Sequence, residues 1–380
     1  MKYKMLSETS NYMNVRVEVA SLNLDNYIST ENMMPNKGGV IETNKLPTGK
    51  TTTSYKKGDI LISNIRPYFK KIWYAENEGG CSNDVLVIRA NKDVDSKFLY
   101  YVLADDAFFE YDTATSKGTK MPRGDKSAIM QYQVPDLSIK SQREIASMLT
   151  ALDNRIAENK KINHHLAEMG RSIFDSYFID LEPNGGVKPD DWQLSNLTGI
   201  ANYLNGLAMQ KFRPQDNEQG LPVLKIKELR QGFTDSTSDL CSPSIRGDYI
   251  IHDGDVIFSW SGSLLVDFWT GGECGLNQHL FKVTSNTYDK WFYYAWTKHH
   301  LDRFVKMAAD RATTMGHIKR DALEKAEVLI PSDKDYEEIG KMLKPIYDQI
   351  LNKRVESRKL VALRDSLLPK LMSGEISVTD

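Results

Sequence analysis

An ordered series of segments occurs twice in the chain, about 195 residues apart, and this duplication constrains the fold more than any composition figure. Lys57-Gly58-Asp59-Ile60-Leu61-Ile62-Ser63 returns as Asp253-Gly254-Asp255-Val256-Ile257-Phe258-Ser259. Gln133-Val134-Pro135 returns as Leu329-Ile330-Pro331, and Gln142-Arg143-Glu144-Ile145-Ala146 as Tyr336-Glu337-Glu338-Ile339-Gly340. A period this long exceeds a solenoid repeat, whose units run roughly 20–50 residues. It describes a globular part plus a helix, made twice.

The helical parts carry the clearest periodicity. From Ser141 to Phe178 there is no proline and a single glycine, Gly170. Ile145, Leu149, Leu152 and Ile156 follow an alternating four–three spacing, the a/d seam of a helix that pairs with another. Polar Asn159-Lys160-Lys161 interrupts the seam, which resumes at Ile162, Leu166, Met169 and Ile173. The second copy reads Ile339, Leu343, Ile346 and Ile350, then polar Lys353-Arg354, then Leu360, Leu363 and Leu367, with Pro345 inside it as a candidate kink. Ser141 with Glu144 reads as a capping box. Taken singly, each seam also suits an amphipathic helix folded onto its own domain. Two copies with the same interruption favour an antiparallel pair, a rod of roughly 54 Å for 36 residues.

The globular parts read as mixed α and β. Gly-Asp turns lead into the strands at 60–62 and 256–258, later buried strands fall at 84–88 and 279–283, and short amphipathic helices at 97–103 and 290–296. Glu182-Pro183-Asn184-Gly185-Gly186-Val187-Lys188-Pro189 is a linker. The expected organisation is a first globular part at 1–139, a long helix at 140–178, a second globular part at 179–334, and a second long helix with its tail at 335–380.

No catalytic constellation emerges. Thr48-Gly49-Lys50-Thr51 resembles the end of a phosphate loop, but Asn44 stands where glycine is required. Asn64-Ile65-Arg66-Pro67-Tyr68 only faintly matches an amino-methyltransferase signature and lacks a glycine-rich cofactor loop before it. Cys81, Cys241 and Cys274 have no CxxC spacing, and His164-His165 and His299-His300 are helix neighbours whose side chains diverge, so no metal site is expected. The odd, scattered cysteines point to a reducing cytoplasm rather than a disulfide framework. No run of 18 apolar residues or secretory leader is present, so no membrane partner is expected.

A formal charge of −2 gives no bulk attraction to nucleic acid, so DNA contacts require local patches. Arg66, Lys70 and Lys71 are interleaved with Tyr68 and Phe69, and Lys117, Lys120 and Arg123 lie among glycines that let backbone approach a phosphate. In the second half Lys225, Trp260, Ser261, Arg311, Thr314, His317 and Lys319 combine basic, hydroxyl and aromatic groups. Residues 179–333 hold 16 basic against 21 acidic side chains, which suits a reader of bases whose partner neutralises phosphates.

Tyr203-Leu204-Asn205-Gly206, Gly220-Leu221-Pro222-Val223-Leu224-Lys225-Ile226-Lys227-Glu228-Leu229, Trp260-Ser261-Gly262, Asn277-Gln278-His279-Leu280-Phe281 and the ending Leu367-Leu368-Pro369-Lys370-Leu371-Met372-Ser373-Gly374-Glu375-Ile376 together resemble the specificity subunit of type I restriction–modification systems. The resemblance covers essentially the whole chain, although residues 1–139 lack counterparts of the Trp-Ser-Gly and Asn-Gln-His runs. It implies an α+β protein in which two target-recognition domains are separated by two long antiparallel coiled-coil helices in a pseudo-twofold duplication. It implies a non-catalytic subunit in a bacterial or archaeal cytoplasm that reads a bipartite double-stranded DNA target. Two methylation subunits would carry S-adenosylmethionine, and restriction subunits would bind ATP and magnesium. A standalone DNA methyltransferase and a coiled-coil scaffold without a DNA role are the alternatives. If the helices set the half-site spacing, deleting one heptad should shorten the unspecified gap by about three base pairs, read by mapping methylated sites; an unchanged gap refutes the ruler.

Overall fold

The computed structural model describes residues 2–309, 318 and 320–376. The chain divides into two compact units, Met1–Asn154 with Leu360–Asp380, and Arg155–Lys359. Each contains an antiparallel sheet of the same strand order, and the duplication seen in the sequence is a duplication of that topology.

In the first unit the antiparallel sheet runs Ser10–Tyr12, Val85–Ala90, Ile60–Ser63, Ile72–Tyr74. Its counterpart in the second unit runs Asn202–Asn205, Leu280–Thr284, Val256–Ser259, Leu265–Phe268. Registers match as well: Ile60 faces Ile88, which faces Tyr12, as Val256 faces Val283, which faces Tyr203. The Gly-Asp turns form as expected. Gly58 and Gly254 sit at φ of 89° and 86°, a conformation open to glycine. Asp59 and Asp255 then accept the amides of Lys56 and His252 at 2.7 and 2.9 Å.

A second sheet in each unit shares three strands and differs in the fourth. Gly79–Cys81 pairs parallel with Tyr27–Ile28 and antiparallel with Thr51–Tyr55. Cys274–Leu276 likewise pairs parallel with Leu221–Leu224 and antiparallel with Ile250–Ile251. The extra strand Arg16–Glu18 joins the antiparallel side in the first unit, whereas Leu240–Cys241 joins the parallel side in the second. Helices Ser96–Ala104 and Lys290–His299 cover the antiparallel sheets and bury Phe98, Leu99 and Tyr101, or Trp291, Phe292 and Trp296.

The first long helix spans Ile139–Phe174 and the second Asp333–Ser373, which passes through Pro345 without a break. Their starts differ from the expected capping box at Ser141. The helix begins one turn earlier, where the Ser138 hydroxyl accepts the Ser141 amide at 3.2 Å, and Ser332 plays the same part for Asp335. Serine ahead of the first turn satisfies an otherwise orphaned amide.

Both units contain segments of both long helices. In the first unit Ile145 and Leu149 share a core with Leu368 and Leu371, with Leu367 packed against it, and Asp153 binds Arg364 at 2.7 Å. In the second, Leu166 and Ile173 pack on a core that includes Ile339, Leu343, Ile346 and Ile350. There Arg155 meets Glu356 at 2.8 Å while Gly170 lies against Ile346 and Tyr347, so the helices run antiparallel. Ile156 is buried, and Leu152 and Leu360 are half-buried. Met169 and Leu363 depart from the expected seam, at 47% and 46% exposure. A helix of 3.6 residues per turn drifts off a strict 3.5 repeat, and the buried stripe moves on to Gly170 and Leu368.

The interruption in the seam is a polar cluster. Asn159 is fully buried beside Glu356, whose carboxyl Arg155 and Lys353 hold down at about 2. A buried amide in a helix pair fixes register at a cost in stability. Asn159→Leu is therefore expected to raise the thermal midpoint of unfolding by a few degrees, about 1–2 kcal/mol, measured by calorimetry. A lowered midpoint would mean that the amide is a net stabiliser.

Candidate nucleic-acid interface

In the first unit two loops meet beyond the antiparallel sheet. After Ile60–Ser63 the backbone enters the left-handed region at Arg66 and Lys70, on either side of the helical turn Pro67–Phe69. The stretch from Lys117 to Arg123 closes as a hairpin, with Lys117 and Arg123 exchanging amide–carbonyl bonds of 2.8 and 2.9 Å. The Arg66 amide donates to the Pro122 carbonyl at 2.8 Å and the Gly124 amide to that of Asn64 at 3.2 Å, which binds hairpin to loop. Arg66, Lys117, Lys120 and Arg123 are exposed on this surface together with Tyr68, Phe69 and Met121. Arg123 reaches Asp84 at 3.0 Å and Lys117 reaches Asp125 at 2.5 Å. Arg66 and Lys120 have no ion pair among the described residues.

Lys70 and Lys71 depart from their expected role. The Lys70 ammonium shares Asp106 with Lys37, at 3.0 and 2.9 Å, and Lys71 donates to the Thr30 carbonyl at 2.6 Å. Both are turned into the unit, where they brace the loop, and burial lowers the Lys71 ammonium below its ordinary value. Neither partner is near them in sequence.

Beneath the hairpin lies a carboxyl group that the sequence does not mark. Asp112 is fully buried, and neither of its oxygens has a hydrogen-bond partner among the described residues. Burial pushes its carboxyl up to about 7. Gly124 packs on it so closely that a Cβ would collide with Asp112 Oδ1 and approach Asn64 Oδ1 to 3.0 Å.

One backbone bond of this arrangement recurs in the second unit. The Ile318 amide donates to the Trp260 carbonyl at 3.1 Å, the counterpart of Gly124 on Asn64. Arg311, Thr314, His317 and Lys319, expected to touch DNA, lie outside the described residues. Trp260 is partly buried against the core and its Nε1 donates to Asn205 Oδ1 at 3.0 Å. Ser261 departs from expectation: at 1% exposure it is part of the turn, its carbonyl accepting from the Ser259 hydroxyl. Lys225 lines a cleft of about 420 Å³ and is ion-paired with Asp239 there.

The same cleft brings together Gln210, Arg213, Lys227, Gln278 and His279. Sequence reasoning did not mark the first three as contacts. In the Asn277-Gln278-His279 run Asn277 organises the turn: it is buried, donates its amide to the Leu224 carbonyl and accepts the His279 amide on Oδ1. The mixed amide and basic run Gln210-Lys211-Phe212-Arg213 was the available signal.

Of the paired histidines only His300 is buried, and His164 and His165 are exposed on the first long helix. His300 is buried with Nε2 2.8 Å from the Glu327 carbonyl, and burial lowers its imidazole to about 4. Among the described residues no group of three or more His, Cys, Asp or Glu is placed to hold a metal, and no helix is long and apolar enough to cross a membrane.

The family model for the type I restriction modification DNA specificity domain matches twice, at residues 7–168 and 189–358. The type I restriction enzyme MjaIX specificity subunit of Methanocaldococcus jannaschii is 24% identical over 346 residues, covering 86% of this chain and 79% of that protein. The HindI specificity subunit of Haemophilus influenzae is 21% identical over 433 residues, covering 92% and 94%. The crystal structure of the type I restriction-modification S subunit from M. genitalium shares the fold, with a TM-score of 0.60 at 14% identity over 98% of this chain and 96% of that one.

Asp112 makes a pH prediction. Its folded-state value lies above the ordinary 3.8, so the folded chain holds a proton that the unfolded chain has released. Its contribution to stability is full below about pH 4 and is lost as pH rises through about 7. Asp112→Asn should therefore gain thermal stability relative to the parent as pH goes from 5 to 8. A difference that stays constant across that range refutes the raised value.

Proposed function

The chain belongs to the type I restriction modification DNA specificity family, and on that premise we propose that it is the DNA-reading, non-catalytic member of an assembly whose reactions are carried out by other chains. The observation that carries this reading is two units whose antiparallel sheets share one topology while equivalent loop positions carry different side chains: Asn64, Asn83 and Asp84 in one, Trp260, Gln278 and His279 in the other. A duplicated reader with unlike loops suits a bipartite target with two unlike half-sites. Two methylation subunits bring S-adenosylmethionine to adenine, and restriction subunits bind ATP and magnesium; this chain holds no cofactor of its own. Such an assembly works in the cytoplasm of a bacterial or archaeal cell.

Charge supports the division of labour. With a net charge of −2 the chain lacks the counterion release that drives tight free-standing binding, so phosphate neutralisation falls largely to the methylation subunits. Within this chain Arg66 and Lys120 are the cations of the first unit best placed to meet phosphate. The scaffold and standalone-methyltransferase readings have no comparable support.

Two measurements test the proposal. Co-expression with the methylation subunit, followed by mapping of modified adenines, should give a two-part motif that disappears when this chain is omitted; modification independent of the chain refutes the proposal. Arg66→Ala and Lys120→Ala should each weaken binding of the complex to all sequences alike and reduce the slope of log K against log salt by about 0.9. An unchanged slope in both would remove these two residues from the phosphate contacts.

A further inference from the structure

Resting on the DNA-specificity reading, we infer that the cleft beside the Asn277 turn is the base-reading site of the second unit, with Gln278 and His279 as its specificity-determining side chains and Arg213 as its phosphate contact.

The turn is built rigidly. Asn277 is 6% exposed and is held by the Leu224 carbonyl on one side and by the amides of His279 and Leu280 on the other. Gly206 packs so closely on the Asn277 carbonyl that no side chain fits there. The two residues that follow are thus presented on a fixed backbone, which base readout requires, because a reading group has to be held in place before the base arrives. Among the described residues Gln278 is engaged only by its sequence neighbours, accepting from Asn277 Nδ2 at 3.1 Å and lying 3.4 Å from His279 Nε2. The Nδ1 atom of His279 is buried and has no partner among the described residues. The Gln278 amide therefore carries the hydrogen-bonding capacity that faces the cleft, with the His279 ring beside it on the lining, and the cleft is large enough for a base edge.

The cations around the cleft are not equivalent. Lys225 is paired with Asp239, and Lys227 donates to Thr237 at 2.7 Å and reaches Asp235 at 3.4 Å. Arg213 is exposed at the rim and has no ion pair among the described residues. It is the cation available to a phosphate without first breaking a bond inside the unit.

The first unit supplies a contrast. Ser82 occupies the place of Asn277, its amide donating to the Ile28 carbonyl at 2.8 Å as that of Asn277 does to Leu224. The residues after it, Asn83 and Asp84, are already bound by Arg16 and Arg123. One position in the shared topology is thus closed by a hydrogen bond and an ion pair in one unit and open, with an amide group, in the other.

Chemistry sets the preference. A glutamine carboxamide pairs in two places with adenine N6 and N7, whereas a glutamate accepts from cytosine N4. The test uses the full chain in complex with its methylation subunit, and duplexes carrying the mapped target with each position substituted in turn. Gln278→Ala should lower discrimination roughly 10- to 100-fold at one position of one half-site and leave the other half-site unchanged. Gln278→Glu should move the preference at that position from adenine toward cytosine, a gain that misfolding does not produce. Arg213→Ala should weaken binding to every duplex equally. If Gln278→Ala, Gln278→Glu and His279→Ala all keep the parent's preference at every position while methylation continues, the cleft is not the reader and the specificity role of the chain still stands. If the parent complex has no preference at all, both readings fall together.

Discussion

The first unit does not close its core with a contiguous stretch of chain, and the second, contiguous from Arg155 to Lys359, closes its core with residues from both long helices. The first needs Leu368 and Leu371 from the second long helix to complete the layer formed by Phe98, Leu99 and Leu149. The second needs Phe174 and Phe178, from the end of the first long helix, between Trp192, Trp291 and Trp296. Burying side chains of this size stabilises by roughly 1.5–3 kcal/mol each, a large fraction of a unit's net stability. Each recognition surface is therefore mounted on a core that depends on the other copy's helix. The helices cannot change their pairing without disturbing both surfaces, and polar pairs fix that pairing, with Asp153 on Arg364 in one unit and Arg155 on Glu356 in the other.

What the sequence made legible follows from which signals are local. The Gly-Asp turns, the strands after them, the helices at 96–104 and 290–299 and both long helices are written in periodicity and turn residues. These forces act within a few residues of each other. The helix seam was readable until its period mattered. Counting sevens past the polar interval leads to Met169 and Leu363, while an actual helix turns slightly further and buries Gly170 and Leu368. The place of the first unit's loops was hidden because its counterparts of Trp260 and Asn277 are Asn64 and Ser82, residues that keep the bonds of the turn with different side chains.

Charge was the least legible signal, since a lysine's role depends on partners distant in sequence. Lys70 and Lys71 sit in the same basic run as Arg66, yet Asp106 and the Thr30 carbonyl claim them. In the second unit Lys225 is claimed by Asp239 while Arg213, in a stretch without periodicity, remains open to solvent. The charge that counts for a nucleic acid is what remains after these internal pairs, and counting lysines overstates it.

The two second sheets show where divergence has been allowed. Gly80 and Gly275 occupy the same node, each pairing with a parallel strand on one side and an antiparallel strand on the other. A Cβ at Gly80 would press into Leu22 and Thr52, and one at Gly275 into Cys241, so glycine is required at both even though their neighbours differ. The fourth strand is free of that constraint and attaches to opposite sides in the two units. Edge strands form half the hydrogen bonds of inner ones and pack on fewer neighbours, so moving one changes the outline of a unit while its centre stays fixed.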